Sequence, residues 1–306
     1  MKKGSKHLLQ ERWQVFQFMK NYRHRFAIEK MCKVLQVSRS GYYNWLGRTP
    51  SNRALKNKQM ACLIRSIYEG SKRIYGSPKI TAELRDHGYT ISRPRVARIM
   101  RSEGMRSIIN KKFRVCTTDS NHSLPIAGNH LKRNFSAVGP GKVWVSDITY
   151  VHTAQGWLFL TIILDLYDRK IIGWALSETM STTDTVLAAM RMALVNRVIN
   201  GQLVFHSDRG VQYASAEFRK ALSGKPVLQS MSRKGDCWDN AVAESFFKII
   251  KSELIYHHRF LTRHQAGLAI FEFIEVWYNR KRRHSALGYC TPEAFGKKNN
   301  VYKKAA

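Results

Sequence analysis

Apolar and polar positions change rhythm along the chain. Up to about residue 104 the apolar residues recur every three or four positions, the period of helices buried along one stripe. Ile28, Met31, Cys32 and Leu35 mark one stripe. Gln36 and Val37 turn the chain, and Ser38 is a natural N-cap for a second helix running to about Leu46 with Arg39, Tyr42 and Tyr43 on it. Residues 1–50 therefore predict a helical helix-turn-helix unit. Gly47 to Arg53, with Thr49, Pro50 and Ser51, reads as a linker.

A second helix-turn-helix unit is predicted over residues 54–112. Asn57 to Tyr68 is amphipathic and stops before Gly70, and Ser77 and Pro78 supply an N-cap and N1 proline for a helix to His87, halted at Gly88. Ser92 caps a last helix, Pro94 to Glu103, with Val96, Ile99 and Met100 on its apolar side. Periodicity is then lost, and Lys111, Lys112, Arg114, Lys132 and Arg133 mark 113–138 as a basic tether.

At Val143 the period shortens to that of strands. Val143–Val151, Trp157–Asp165 and Lys170–Leu176 predict an antiparallel meander, followed by a helix at Thr183–Val198, a strand at Leu203–His206, a helix at Ala216–Leu222 and a strand at Val227–Gln229. The last element of this region is a helix starting near Asn240, with Asp239 suited to cap it and Ala243, Phe247, Ile250 and Leu254 facing a core. The fold class is α/β, a mixed five-stranded sheet with flanking helices over residues 139–262. A helical extension and basic tail occupy 263–306, with Lys297 to Lys304 read as frayed.

Composition sharpens this outline. The chain carries 52 Lys plus Arg against 21 Asp plus Glu, a net charge of +31, which excludes a typical metabolic enzyme and calls for an extended polyanion. Residues 1–137 hold 29 basic and 7 acidic side chains, whereas 138–306 hold 23 and 14. The first part reads as a binding region, the second as a domain that uses its acids. Cys32, Cys62, Cys116, Cys237 and Cys290 are scattered without a CxxC pair, consistent with reduced, buried thiols in a cytoplasmic protein and no structural zinc. Met1 to Lys6 is basic but precedes no apolar core of a signal peptide, and the run Trp157–Leu164 is too short to span a membrane.

Three acids stand out. Asp147 lies inside a strand, where a carboxylate is costly unless paired; Asp208 sits just past another strand; Glu244 is on the Asn240 helix. Convergent carboxylates repel unless a cation holds them, and hard oxygen donors suit Mg²⁺. Two such ions would stabilise the entering and leaving oxygens of an in-line phosphoryl displacement, with water as nucleophile for hydrolysis or a DNA 3′-hydroxyl for strand transfer.

Asp147, Asp208 and Glu244, separated by 60 and then 35 residues, resemble the D,D(35)E triad of retroviral integrases and insertion-sequence transposases. The surrounding words resemble the OrfB protein of two-frame insertion sequences: Trp144, Asp147, Ile148, Thr149 and Tyr150; His206, Ser207, Asp208, Gly210, Gln212 and Tyr213; Gly235, Trp238, Asp239, Asn240, Ala241 and Glu244. Lys251 matches the family's basic residue, and Tyr278, Asn279, Arg283, His284, Leu287, Thr291 and Pro292 match its C-terminal block. Ser146 stands where retroviral integrases have Thr. The resemblance implies an RNase H-like core, two Mg²⁺ ions (or Mn²⁺) on the triad, and cleavage and joining of double-stranded DNA at terminal repeats and target. It also implies an OrfA partner or fusion. Because two ends must be held together, a homo-oligomer on DNA is expected, in the bacterial cytoplasm at the nucleoid.

Candidate DNA contacts are Arg93, Arg95, Arg98 and Arg101 on the last helix of the second unit, with Lys248 and Lys251 beside Glu244, and Gln212, Tyr213, Trp238 and Asn240. A packed Tyr213 is an open alternative, and Trp238 stacks on a base or caps the sheet. His206 reads as a core residue, Asp165 and Asp168 as turn and ion-pair residues about Arg169, and Asp236 and Asp239 as turn and cap. Gly210 is expected at positive φ. Arg280 to His284 reads as a solvated run that could cradle DNA. A nuclease that only hydrolyses, or a DNA-binding regulator with a vestigial core, are the alternative functions.

Overall fold

The structure, a computed structural model, describes residues 11–49, 51–109, 123–199 and 201–303. Met1 to Lys6, Pro50, Lys111, Lys112, Arg114, Cys116 and Lys304, and residues 113–122 of the expected tether, lie outside the described residues. The chain divides into two compact units, Met1–Ser66 and Ile67–Ala306.

The first unit holds α1 (Arg12–Tyr22), α2 (Ile28–Leu35) and α3 (Arg39–Leu46). Gln36 takes a left-handed conformation at the end of α2, and the Ser38 hydroxyl accepts from Gly41 N at 3.1 Å, so the predicted turn and cap are both present. Met19, Met31, Cys32 and Tyr42 form the core, with Phe16 and Trp45 packed around the Tyr42 ring. Tyr42 is thus a packing residue, whereas Tyr43 is exposed. Helix α4 (Asn52–Gly70) is longer than its pattern predicts: it opens inside the expected linker, where the Ser51 hydroxyl accepts from Ala54 N, and it includes Gly70.

In the second unit α5 (Ser77–Asp86) and α6 (Arg93–Ser102) bury Ile80, Leu84, Val96, Ile99 and Met100. Gly76, one residue earlier than expected, is the N-cap of α5. The sheet follows: β1 (Val143–Thr153), β2 (Gly156–Asp165), β3 (Ile171–Ser177), α7 (Ala188–Asn196, entered through a π-helical turn at Thr183–Leu187), β4 (Leu203–Ser207), α8 (Val211–Ala214), α9 (Ala216–Leu222) and β5 (Val227–Met231). Strand order is β3-β2-β1-β4-β5, with β1, β2 and β3 antiparallel and β4 and β5 parallel to β1. This is the five-stranded mixed sheet expected of an RNase H-like core, preceded by helical units.

Side chains alternate between the two faces of β1. Trp144 and Ile148 join Ile163, Phe205 and Phe218 in the core under α7, α8 and α9. Helix α7 lies so close to β3 that a Cβ at Gly173 would collide with the Ala189 carbonyl and Ala193. The opposite face carries Val145, Asp147 and Thr149, and it is covered by α10 (Ala241–Glu253), α11 (Arg263–Phe271) and the π-helical turns Glu272–Lys281; α12 (Pro292–Lys303) follows. Trp174 on that face donates to Glu275 at 2.9 Å.

Several buried charges correct the expectations. Asp165 and Asp168 do shape their turn, accepting from Tyr167 N and Lys170 N, but their ion-pair partner is Arg197, while Arg169 at φ +59 donates to the Phe135 carbonyl. Arg282, Arg283 and His284 are buried, neither solvated nor presented to DNA. Arg282 pairs with Glu253 at the end of α10, and Arg283 with Glu83 and Asp86 of α5. Of the described cysteines Cys32 is buried, Cys290 half-buried and Cys62 exposed.

Candidate active site

Asp147 sits mid-strand opposite Ile162 of β2, and its Oδ1 accepts from Ile148 N at 2.8 Å. The pairing Val145 with His206 on parallel β4, continued by two residues, brings Asp208 alongside Asp147 just where β4 has ended. Asp208 is turned inward by Gly210 N, which donates to its Oδ1 at 3.0 Å. Gly210 itself has φ −59, so its role is not a left-handed turn: a Cβ there would press on Asp208 Oδ1 and Gln212 Oε1 at 3.1 and 3.3 Å.

Glu244 stands in the first turn of α10, over the face of β1 that carries Asp147. Burial pushes the Asp147 carboxyl well above the usual carboxylate range, and the charges of Asp208 and Glu244 push it further; Lys251 opposes them. The Glu244 carboxyl is raised by partial desolvation. Burial lowers the Lys251 ammonium and the Asp147 charge draws it back, so Lys251 belongs to the same field.

Asp147 therefore feels the charge of both other acids. The three are not gathered at ligand distance: among the described residues no three His, Cys, Asp or Glu side chains already form a metal-holding group. The donor set nonetheless fits a hard divalent cation. Hard carboxylate oxygens raise one another's proton affinity, and among the described residues neither Asp147 nor Glu244 is in a contact ion pair.

One residue ties the three segments together. The Tyr213 hydroxyl, in α8 beyond Asp208, lies 2.8 Å from Ser146 Oγ, which itself donates to the Ile162 carbonyl at 2.7 Å. Tyr213 is therefore the donor of the pair. Asn240, just before α10, donates through Nδ2 to the Ser146 carbonyl at 3.1 Å. Tyr213 and Asn240 are both buried and belong to the scaffold of the site, not to a DNA-facing surface as expected. The letters alone do not tell a packed tyrosine from a contacting one.

Asp239 is not the helix cap. It lies in a 3₁₀ turn, Cys237–Asn240, and is fully buried. Its carboxylate accepts from Arg233, Arg133 and Asn129, and the Arg233 guanidinium above all holds it far below the usual carboxylate range. This clasp is invisible in the sequence, because Arg133 and Asn129 lie more than a hundred residues away. His206 is a core residue as expected, its ring nitrogens bonded to Ser230 and Ser232 and its pKa lowered to about 4 by burial.

The remaining candidates differ in exposure. Arg93, Arg98 and Arg101 are exposed on α6 and Arg95 is half-buried; Lys248 is exposed on α10 and Lys251 half-buried. Trp238 is 69% exposed at the turn before Glu244, so it does not cap the sheet. Gln212 donates to the Met180 carbonyl at 3.1 Å.

The Integrase core domain family matches residues 137–237, a second Integrase core domain family 226–292, and an HTH-like domain family 54–113. The HTLV-2 integrase catalytic core domain in complex with magnesium aligns with TM-score 0.39 and 15% identity, over 52% of this chain and 98% of that one. A 31 kDa protein of insertion element IS600 from Shigella sonnei is 41% identical, over 88% of this chain and 98% of its own. Transposase InsF of insertion sequence IS3A from Escherichia coli K12 is 39% identical over 92% of this chain and 98% of its own. With likeness of that degree along nearly its whole length, the chain belongs to the IS3-type family of insertion-sequence transposases.

Proposed function

We propose that this chain is a metal-dependent DNA strand transferase that cuts at the ends of an insertion element and joins the freed 3′-hydroxyl to target DNA. Asp147, Asp208 and Glu244 would hold two Mg²⁺ ions, with Mn²⁺ as a substitute. The observation that carries the reading is the placement of three acids from a strand, a strand end and a helix around one end of the sheet: Asp147 inside β1, Asp208 just past the parallel β4, and Glu244 in the first turn of α10. Metal bound there would supply charge for the attacking and leaving oxygens of an in-line displacement.

In the first step water attacks the phosphorus at the element end and the P–O3′ bond breaks, leaving a 3′-hydroxyl. In the second that hydroxyl oxygen bonds to a target phosphorus and gives up its proton to solvent, while the target P–O3′ bond breaks and the leaving 3′-oxygen takes a proton from solvent. Asp147 is held within β1, and Asp208 on the loop after β4 and Glu244 on α10 would supply the other carboxylates when metal binds. Lys251 and Lys248 hold the flanking phosphates, and the exposed arginines of α6 hold DNA further away. Two ends must meet, so the working form is a homo-oligomer on DNA, with OrfA as partner or fusion. Among the described residues no helix is long and apolar enough to cross a membrane.

The test uses element-end duplex with Mg²⁺. Asp147→Asn, Asp208→Asn and Glu244→Gln should each abolish cleavage and joining, and activity surviving in any one removes that residue from the centre. Pre-cut ends offered with a target plasmid give joined products from a transferase and none from a hydrolase.

A further inference from the structure

A cavity of about 440 Å³ opens between the outer end of the β1–β2 hairpin and the chain leaving α10. That volume falls in the range of about 300–1,000 Å³ typical of small-ligand sites. Tyr150, Trp157 and Tyr256 give it aromatic walls, and His152, Lys251, His258 and Arg259 its polar groups; among the described residues no carboxylate lines it. Trp157 is 51% and Tyr256 50% exposed, so flat rings face solvent within one concavity. Edge-to-face packing of Trp157 against Tyr150 and His152, at 5.6 and 5.1 Å between centroids, fixes the indole without covering its open part.

The cavity shares one residue, Lys251 of α10, with the surroundings of the acidic centre. Lys251 lines it and also lies in the field of Asp147. Tyr150 follows Asp147 on β1 by three residues, about 10 Å along the strand and on the other side of its pleat, at the end of the hairpin that the chain leaving α10 wraps.

We propose that this groove takes an unpaired nucleobase of the DNA strand at the reacting phosphodiester, stacked on Trp157 and Tyr256, with its neighbouring phosphates on Lys251 and Arg259. Paired bases keep their faces inside the duplex, so aromatic walls beside cations recognise a base only once it is released. Every base has such a face, so the recognition is tolerant of sequence. An apolar protein segment is the other occupant to be tested, but it would leave the Arg259 guanidinium and the Lys251 ammonium at the groove without phosphate oxygens to meet. The assignment rests on the proposed function for its place beside the reacting phosphate; the aromatic and cationic chemistry of the groove stands apart from it.

The experiment compares a blunt duplex with the same duplex bearing a short unpaired 3′ tail, by anisotropy with the full chain at fixed salt. 2-Aminopurine is placed at each tail position in turn. The tailed DNA should bind about tenfold tighter, an effect of the size expected for one stacked base. One tail position should show quenched 2-aminopurine emission. Trp157→Ala and Tyr256→Ala should each remove the tail preference while leaving blunt-duplex affinity and the melting temperature unchanged, and Trp157→Phe should retain it. Equal affinity for the two DNAs, or a parallel loss of both in the alanine variants, overturns the proposal, as does emission insensitive to position; an apolar segment as occupant would give the first of these. Asp147→Asn separates the two readings: a wrong centre leaves this variant cutting DNA whatever the tail does, and a wrong groove leaves it inert with no tail preference in any variant.

Discussion

Ser146 accepts from Tyr213 on its side chain and from Asn240 on its carbonyl, and it directly precedes Asp147. Burial and the charges of Asp208 and Asp147 push the Tyr213 hydroxyl well above the usual phenol range, so it keeps its proton and remains a donor. Tyr213→Phe deletes that donor and frees the Asp208 loop from β1. The expected cost is about 1 kcal/mol in urea unfolding, as for one intramolecular hydrogen bond. Cleavage should fall more than tenfold with DNA affinity unchanged; unaltered cleavage would show that the bond positions nothing. His284 supplies a pH signature. Burial and the neighbouring cations Arg282, Lys79 and Arg169 lower its pKa to about 2, so in the folded chain the ring stays neutral. The unfolded chain takes up the proton first, so stability is full above about pH 6.5 and falls as pH drops below it. This one group should cost ~1 kcal/mol over the first pH unit below 6.5. His284→Gln should remove that slope in urea titrations at pH 6.5 and 5.5.

Elements are legible in the sequence where one face is buried. The alternation of β1 and the spacing of Ala243, Phe247 and Ile250 on α10, with Leu254 at its C-cap, mark their inward sides, and all four residues of that stripe are buried. What stays hidden depends on tertiary partners. The buried Glu253, on the same helix, resembles any charge near a helix end until Arg282 is seen to grip it, with Nη2 at 2.7 Å and Trp277 Nε1 at 3.2 Å. The run Arg280–His284 reads as solvated for the same reason. The pair locks the end of α10 to the chain after the π-helical turns. Removing one partner leaves an uncompensated buried charge, so Glu253→Gln should destabilise by about 3–5 kcal/mol. Glu253→Leu combined with Arg282→Met should recover much of that loss, since a buried ion pair is often replaceable by packed apolar groups. Equal losses for the single and the double variant in chemical denaturation would show that these groups matter for their shape and not their charge.

Across the second unit, the helices bearing the α6 arginines are not strung loosely beside the sheet. Arg283 is paired with Glu83 and Asp86 of α5, its backbone N–H donates to the Tyr75 hydroxyl at 2.8 Å, and that hydroxyl donates to the Lys281 carbonyl at 3.0 Å. Division of the sequence at a basic tether could not foresee this docking, because the bonds join residues about two hundred positions apart. Two perturbations should then behave differently. Removing positive charge from the exposed face of α6, by Arg93→Ala, Arg98→Ala and Arg101→Ala together, should flatten the dependence of log affinity on log salt by about 0.9 for each phosphate no longer neutralised. Arg283→Met removes no exposed charge, so the salt slope should stay as it is. It does loosen α5 and α6 from the C-terminal segment, so under the proposed function DNA bound at α6 should no longer be delivered to Asp147 in a fixed geometry. A misplacement of about 1 Å can cost on the order of a hundredfold in rate. Cleavage should therefore drop far more than binding in Arg283→Met, whereas the α6 variant should lose binding first and recover its cleavage at low salt. Parallel losses of binding and cleavage in both variants would mean that α6 and the acidic centre do not act on the same DNA as one body.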